Sequence, residues 1–268
     1  MAFIVRVPGI NGLGKTEGCE KAGVSVLEAL NKIHSNESGV PIDVRLFDLE
    51  EIHLDNSDLK LTNDLIYKNS LEMFETKPKT IFLGGDHSIS YSLTRAFFEH
   101  CKDSEKEPCL IVFDSRPDCK KKEGDFPSNE EWLRSLIESG FPSENIFLVG
   151  ARNFRAEEIS FLKEKGVKIM KVNQIIENID DSCDILMEFS SGKEVYLSID
   201  IGVVDPAYAP GTSGKEPGGL TSRQLIYFLQ RINRVRALRA VDIVEINPKE
   251  DFKGMTVKLG AKILGELV

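Results

Sequence analysis

The chain has 268 residues, of which 41% are hydrophobic and 29% charged, and its 34 basic and 43 acidic residues give a net charge of −9. This composition is ordinary for a globular protein, and we expect residues 1–268 to form one α/β domain. The acidic balance argues against nucleic acid as a partner. We expect no signal peptide, no membrane partner and a cytoplasmic location, with the five scattered cysteines as reduced thiols.

Short apolar runs alternate with amphipathic stretches along the whole chain. Runs that are apolar on both faces predict strands at 3–7, 42–46, 80–83, 109–113, 146–149, 167–171, 195–199 and 238–246. The stretches between them predict helices at 19–33, 61–74, 89–100, 130–138, 156–165, 183–189 and 222–234, with a last helix at 256–266. The alternation predicts an α/β fold whose parallel sheet is covered by helices on both sides.

Polar side chains follow three of these predicted strands. Residues 84–88 read Gly-Gly-Asp-His-Ser, which places His87 just beyond a strand. Asp114 and Asp118 follow the strand at 109–113, and Asp200 follows the strand at 195–199. Taken singly, the histidine also suits a hydrogen-bonded core position, and the acidic pair also suits a solvated loop. Together, three such segments at the carboxyl ends of parallel strands predict one metal-binding site.

The same segments resemble the signatures of the ureohydrolase family, which comprises arginases, agmatinases and formimidoylglutamases. Residues 84–88 match the first signature in full, 114–118 resemble Asp-Ala-His-x-Asp, and 198–220 match the third signature with one gap. The resemblance implies an arginase-like three-layer α/β/α sandwich with a mostly parallel eight-stranded sheet. It also implies hydrolysis of C–N bonds in linear amidines by a pair of Mn²⁺ ions, and a homo-oligomer, either trimer or hexamer.

The resemblance further implies which residues hold metal. One ion is assigned to His87, Asp114, Asp118 and Asp200, and all four are present. The two ligands unique to the second ion are replaced by Arg116 and Gly202, so we expect at most one Mn²⁺, and no ion at all is the alternative. We hypothesise that the Arg116 guanidinium partly fills the missing ion's place and binds Asp114 and Asp200 through charge-assisted hydrogen bonds. The alternative is that it points into solvent.

Four further expectations concern catalysis and substrate. Asn129 stands where the family has a proton-shuttling histidine, and an amide does no acid–base work near neutral pH. Arg155 replaces an acidic substrate-binding position, so it favours a carboxylate-bearing ligand if it faces the pocket rather than the surface. Glu245 matches the glutamate that binds the substrate's guanidinium, although it could pair with Arg116 instead. We expect Asp118 and Glu245 to be the catalytic residues.

Two functions therefore stay open from the sequence. The first is hydrolysis of a small linear amidine with reduced or altered activity, which the four retained metal ligands favour. The second is a catalytically inactive homologue with a structural, ligand-sensing or regulatory role, which the lost second metal site and the lost proton shuttle favour.

Overall fold

In the computed structural model, which describes residues 3–268, eight parallel strands form one sheet. The strands are β1 (Phe3–Val7), β2 (Asp48–Glu51), β3 (Thr80–Gly84), β4 (Pro108–Phe113), β5 (Ile146–Val149), β6 (Lys168–Met170), β7 (Glu194–Asp200) and β8 (Leu238–Val244). Their order across the sheet is β2-β1-β3-β8-β7-β4-β5-β6. Every pair of neighbouring strands is parallel, as the α/β alternation predicts.

Helices cover both faces of this sheet. They are α1 (Ala22–Leu30), α2 (Leu59–Thr76), α3 (Ile89–Asp103), α4 (Trp132–Glu138), α5 (Ala156–Lys165), α6 (Val172–Glu177), α7 (Ile179–Ser190), α8 (Ser222–Ile232) and α9 (Met255–Leu267). Successive strand residues point to opposite faces, so Leu110 joins the apolar core beneath α2–α5 while Ile111 joins the core beneath α1 and α6–α9. The predicted three-layer α/β/α sandwich is confirmed.

Two elements differ from their sequence predictions. The strand predicted at 42–46 is wrong, because Val44–Leu46 forms a short 3₁₀ turn and the strand follows at Asp48–Glu51. That strand lies at the edge of the sheet and is half-buried to exposed, so it lacks the apolar pattern of a central strand. Helix α6 was not predicted, since its six residues are too few to establish a helical period.

All five cysteines are free thiols with buried side chains. Across residues 3–268, each helix is either too short or too polar to cross a membrane.

The turn after β3 is where the fold packs its backbone most closely. Gly85 N donates to Val7 O at 2.9 Å, and Gly85 O accepts from Glu245 N at 3.0 Å, so this residue joins the loops that follow β1, β3 and β8. A Cβ atom at this position would lie 2.0 Å from Gly9 O, which is a backbone atom that cannot simply rotate away. Glycine is therefore required here for the three loops to meet.

We expect Gly85→Ala to lower the free energy of unfolding by about 1–3 kcal/mol, because the added methyl group overpacks the junction. Urea unfolding followed by circular dichroism measures this change. Gly124→Ala is the matched control, since the nearest atom to its Cβ would be Phe126 O at 3.7 Å. If the two variants were equally stable, the requirement for glycine at position 85 would be contradicted.

Candidate metal centre and active site

The candidate site lies at the carboxyl-terminal edge of the sheet, beyond its four central strands. β3, β8, β7 and β4 are neighbours in that order. His87 follows β3, Glu245 follows β8, Asp200 ends β7, and Asp114 and Asp118 follow β4. Because the carboxyl ends of parallel strands share one edge, these side chains meet although His87 and Glu245 are 158 residues apart in the chain.

The loop that carries His87 is held by its neighbour Asp86. Oδ2 of this buried carboxylate accepts hydrogen bonds from Asn11 N and Thr16 Oγ1, both at 2.7 Å. Oδ1 accepts from the backbone N–H and the hydroxyl of Ser88. Four donors thus compensate the burial of one charge, and they tie the loop after β1 to the loop that positions the histidine.

Nδ1 of His87 faces three carboxylate oxygens. Asp118 Oδ2 lies 3.1 Å from it and Asp114 Oδ2 lies at 3.2 Å. Asp200 Oδ2 lies at 3.6 Å, and one ligand atom from each of the four residues falls within 4.8 Å of the other three. Neither His87 Nδ1 nor Asp114 Oδ2 has a hydrogen-bond partner, although both are buried. The four groups point at one shared position, and this donor set fits a divalent cation such as Mn²⁺.

Backbone amides orient two of these carboxylates. Arg116 N donates to Asp114 Oδ1 at 2.9 Å, and Gly202 N donates to Asp200 Oδ1 at 2.5 Å. Both bonds leave Oδ2 facing the shared position. Burial and the charge of Asp118 raise the pKa of Asp114, and burial and the charge of Asp114 raise the pKa of Asp200. A cation between them would offset both effects.

A buried network fixes the other side of the His87 ring. Ser198 Oγ lies 3.0 Å from His87 Nε2 and donates to Asp242 Oδ1 at 2.7 Å, so Nε2 is the protonated nitrogen that donates to the serine. Asp242 Oδ2 accepts from Ser90 Oγ and Tyr196 OH. Nδ1 is therefore the nitrogen that faces the shared position, and it becomes a metal ligand when it carries no proton of its own. Burial opposes protonation, but the three facing carboxylates raise the pKa of His87 well above its ordinary value.

The Arg116 guanidinium does not make the hydrogen bonds to Asp114 and Asp200 that were predicted for it. Within the described chain its ion pairs are with Glu130 Oε1, 3.3 Å from Nη1, and with Asp118 Oδ1, 4.0 Å from Nε. The contact between Arg116 Nε and Asp118 Oδ1 is not a hydrogen bond. Each of these two atoms is buried without a hydrogen-bond partner. The solvent-facing alternative is also wrong, because the side chain is 20% exposed.

The space around positions 116 and 202 explains this placement. The guanidinium lies against Gly214, where a Cβ atom would be 2.9 Å from Arg116 Nη2. A Cβ atom at Gly202 would be 2.9 Å from Asp200 Oδ1. Burial works against the charge of the guanidinium, but the surrounding carboxylates raise its pKa above the ordinary value. Arg116 is therefore a permanent cation beside the cluster rather than within it.

Glu245 keeps one carboxylate oxygen free. Oε1 accepts from the backbone N–H of His87 and from Asn129 Nδ2, both at 3.0 Å. Oε2 is buried and has no partner, and among residues 3–268 the pairing of Glu245 with Arg116 is absent. Burial and the neighbouring carboxylates raise the pKa of Glu245 to about 8. An amidine cation at Oε2 would satisfy this oxygen and keep the carboxylate ionised.

A pocket of about 230 Å³ opens beside the cluster, and Arg116, Lys120 and Arg155 contribute its basic side chains. Glu130 pairs with both Lys120 and Arg116, and Glu158 accepts from two backbone amides. Arg155 lines the pocket from the start of α5 and makes no ion pair with a carboxylate of residues 3–268. Burial and the nearby Arg155 lower the pKa of Lys120. Asp118 and Glu216 also line the pocket, so among its described residues Arg155 is the basic side chain without an ion pair.

Two residues of the site were missed from the sequence. Trp132 donates its indole N–H to Asp118 Oδ2 at 3.2 Å, and Glu130 binds Arg116. Both lie in the loop and helix start that also hold Asn129. One feature of the sequence could have pointed to these two residues. The segment that holds them and Asn129 departs from the family pattern at several positions.

Comparisons with known proteins identify the family of the chain. The family model described as "Arginase family" matches residues 2–268. An agmatinase from Bacillus subtilis is 29% identical over 228 residues, which cover 84% of this chain and 75% of the relative. A formimidoylglutamase from Halalkalibacterium halodurans is 28% identical over 231 residues, which cover 82% and 70%.

Solved structures show the same likeness. The crystal structure of formimidoylglutamase from Bacillus subtilis has a TM-score of 0.88 and 25% identity to this protein, and the match covers 99% of this chain and 85% of that one. Proclavaminate amidino hydrolase from Streptomyces clavuligerus shares the fold, with a TM-score of 0.86 at 24% identity over 99% of this chain and 90% of that one. Because that family model matches residues 2–268, the chain belongs to the arginase family of hydrolases.

Proposed function

We propose that this protein hydrolyses a C–N bond of a linear amidine with one divalent ion, at a lower rate than a two-metal site allows. The observation that carries the proposal is the convergence of His87 Nδ1 and three carboxylate oxygens on one position without hydrogen bonds among them. Four residues would hold the ion: His87, Asp114, Asp118 and Asp200. The ion would supply Lewis-acid chemistry that lowers the pKa of water next to the amidine carbon.

A second ion does not fit the residues that are present. Arg116 cannot coordinate a metal, because a guanidinium has no free lone pair and stays protonated. Gly202 has no side chain to offer. Relative to the family pattern, Arg116 adds one positive charge and Gly202 removes one negative charge, which together equal the charge of one divalent ion. The two substitutions therefore preserve the charge of the site with one ion fewer.

Glu245 and Asp118 are the acidic groups that we assign to catalysis. The free Glu245 Oε2 would bind the amidine N–H groups and set the orientation of the reacting carbon. Asp118 Oδ1 is also buried without a partner, so it can accept a proton from water at the site. Asn129 donates to Glu245 and moves no proton, and the loss of a shuttle at this position lowers turnover by about 10²–10⁴-fold.

Arg155 and Lys120 support a substrate that carries a carboxylate at the end remote from the amidine. Arg155 lines the pocket without an ion pair, and the positive charges crowded around Lys120 would be relieved by a bound anion. A carboxylate there would be bound by charge-assisted hydrogen bonds.

The second candidate function is a catalytically inactive homologue with a structural, ligand-sensing or regulatory role. The presence of the Arg116 cation on the pocket wall favours it, because this charge opposes the entry of a cationic amidine. The two candidates differ in whether an amidine is cleaved at this site.

We expect the protein purified in Mn²⁺ to carry about one ion per chain and to release urea, ammonia or formamide from at least one amidine of a test panel. Elemental analysis and product assays measure the two quantities separately. One bound ion with no product from any amidine would replace the proposal by the second candidate. A chain that binds no metal would contradict both the metal site and the hydrolysis.

The double variant Arg116→His with Gly202→Asp should bind about two Mn²⁺ ions per chain, since it restores two donors and the charge that a second ion needs. Arg116→His alone and Gly202→Asp alone are the matched controls, and each should stay near one ion because it supplies one of the two donors. Isothermal titration calorimetry gives the stoichiometry. A double variant that still binds one ion would show that the second site is lost through more than these two residues.

Arg155→Gln should weaken the binding of 4-guanidinobutanoate about tenfold and leave the binding of 4-guanidinobutylamine nearly unchanged, because only the first carries a carboxylate. Calorimetric titration of the Mn²⁺-loaded protein measures both affinities. Arg45→Gln is the control. Arg45 is exposed and precedes β2, the edge strand on the side of the sheet away from Arg155. Equal losses for the two ligands would remove Arg155 from substrate recognition.

A further inference from the structure

Trp132, the only tryptophan of the chain, contacts two residues of the metal-binding cluster. It begins α4, and its side chain is 0% exposed. The centroid of its ring lies 4.6 Å from that of the His87 imidazole, with 37° between the ring planes. Its Nε1–H donates to Asp118 Oδ2 at 3.2 Å. One side chain from a third element thus joins the loops after β3 and β4.

The indole makes the two oxygens of Asp118 unequal. Oδ2 has the indole N–H as a donor, whereas Oδ1 is buried without a partner, 4.0 Å from Arg116 Nε. Asp118 also has a φ of 47°, a left-handed conformation that a non-glycine residue keeps only when its surroundings hold it. Without the indole donor, the carboxylate is free to turn towards the arginine and away from the cluster.

The same ring limits the motion of His87. Ser198 Oγ holds Nε2 at the edge of the imidazole, and Trp132 covers one face. A ring flip about Cβ–Cγ would put carbon atoms where Nδ1 and Nε2 now lie, breaking the serine hydrogen bond and moving against the packed indole. Nδ1 is therefore kept facing the three carboxylates.

We propose that Trp132 is a positioning residue that prepares this cluster for a single divalent ion by fixing Asp118 and His87 together. This inference rests on the metal site of the proposed function and does not require hydrolysis. Partners that orient metal ligands typically change metal affinity by about 10–100-fold. We expect Trp132→Phe, which keeps a ring but loses the N–H, to weaken Mn²⁺ binding about 10-fold, and Trp132→Leu, which loses both contacts, about 100-fold.

The test is a Mn²⁺ titration of the metal-free protein. In the wild-type chain the emission of the lone tryptophan should be quenched by the paramagnetic ion and level off at about one equivalent. Calorimetry gives the affinities of the two variants, which lack tryptophan, and thermal unfolding shows whether they remain folded. Phe141→Leu is the matched control, because Phe141 is a buried aromatic residue just beyond α4 that packs on Phe98. It should keep the wild-type Mn²⁺ affinity.

The outcomes separate this inference from the proposed function. If the wild type binds one Mn²⁺ while Trp132→Phe binds it equally well, the positioning role is overturned and the hydrolase proposal stands. Metal binding that leaves the wild-type tryptophan emission unchanged also overturns it, even if the variants fail to fold. A wild-type chain that binds no Mn²⁺ overturns both. Tight metal binding with the expected loss in the variants, but without hydrolysis, overturns the hydrolase proposal alone.

Discussion

Three buried carboxylates that converge on one imidazole nitrogen create a strong negative potential, and the rest of the site is arranged to contain it. Asp114, Asp118 and Asp200 are each at most 2% exposed, so water cannot screen them. Buried charges of one sign are costly unless donors or cations compensate them. Backbone amides hold the outer oxygens of Asp114 and Asp200, an indole N–H holds one oxygen of Asp118, and Nδ1 of His87 faces the centre of the three carboxylates.

The cation that the sequence supplies is not at that centre. Arg116 contributes its charge from the pocket wall, where Glu130 holds it and Gly214 leaves room for its plane. From there it lowers the electrostatic cost of the carboxylates without taking a coordination position. The position that His87 Nδ1 and the three carboxylates face is thus left to a ligand other than the arginine, and the one-ion proposal rests on this arrangement.

The side chains of the site are held in place by the sheet and by the strained loops that follow its strands. Asp118 and Glu245 both have positive φ, at 47° and 64°, although neither is glycine. Each follows a central strand, where packing on both faces fixes the loop from which the side chain emerges. Such strain persists where surrounding contacts outweigh it, and it is typical of functional sites.

Local sequence patterns predict the α/β architecture and the four residues of the cluster, which are His87, Asp114, Asp118 and Asp200. Strand and helix periods are local patterns, and the positions of His87 and Asp200 follow from where strands end. Three features are visible only in the folded chain: the partner of Arg116, the contact of Trp132 with Asp118, and the place of the polar edge strand β2. These depend on which loops from different strands come within reach of one another, and on which acceptor a buried donor reaches first. A local sequence pattern encodes neither the distance between two loops nor the competition between acceptors for one donor.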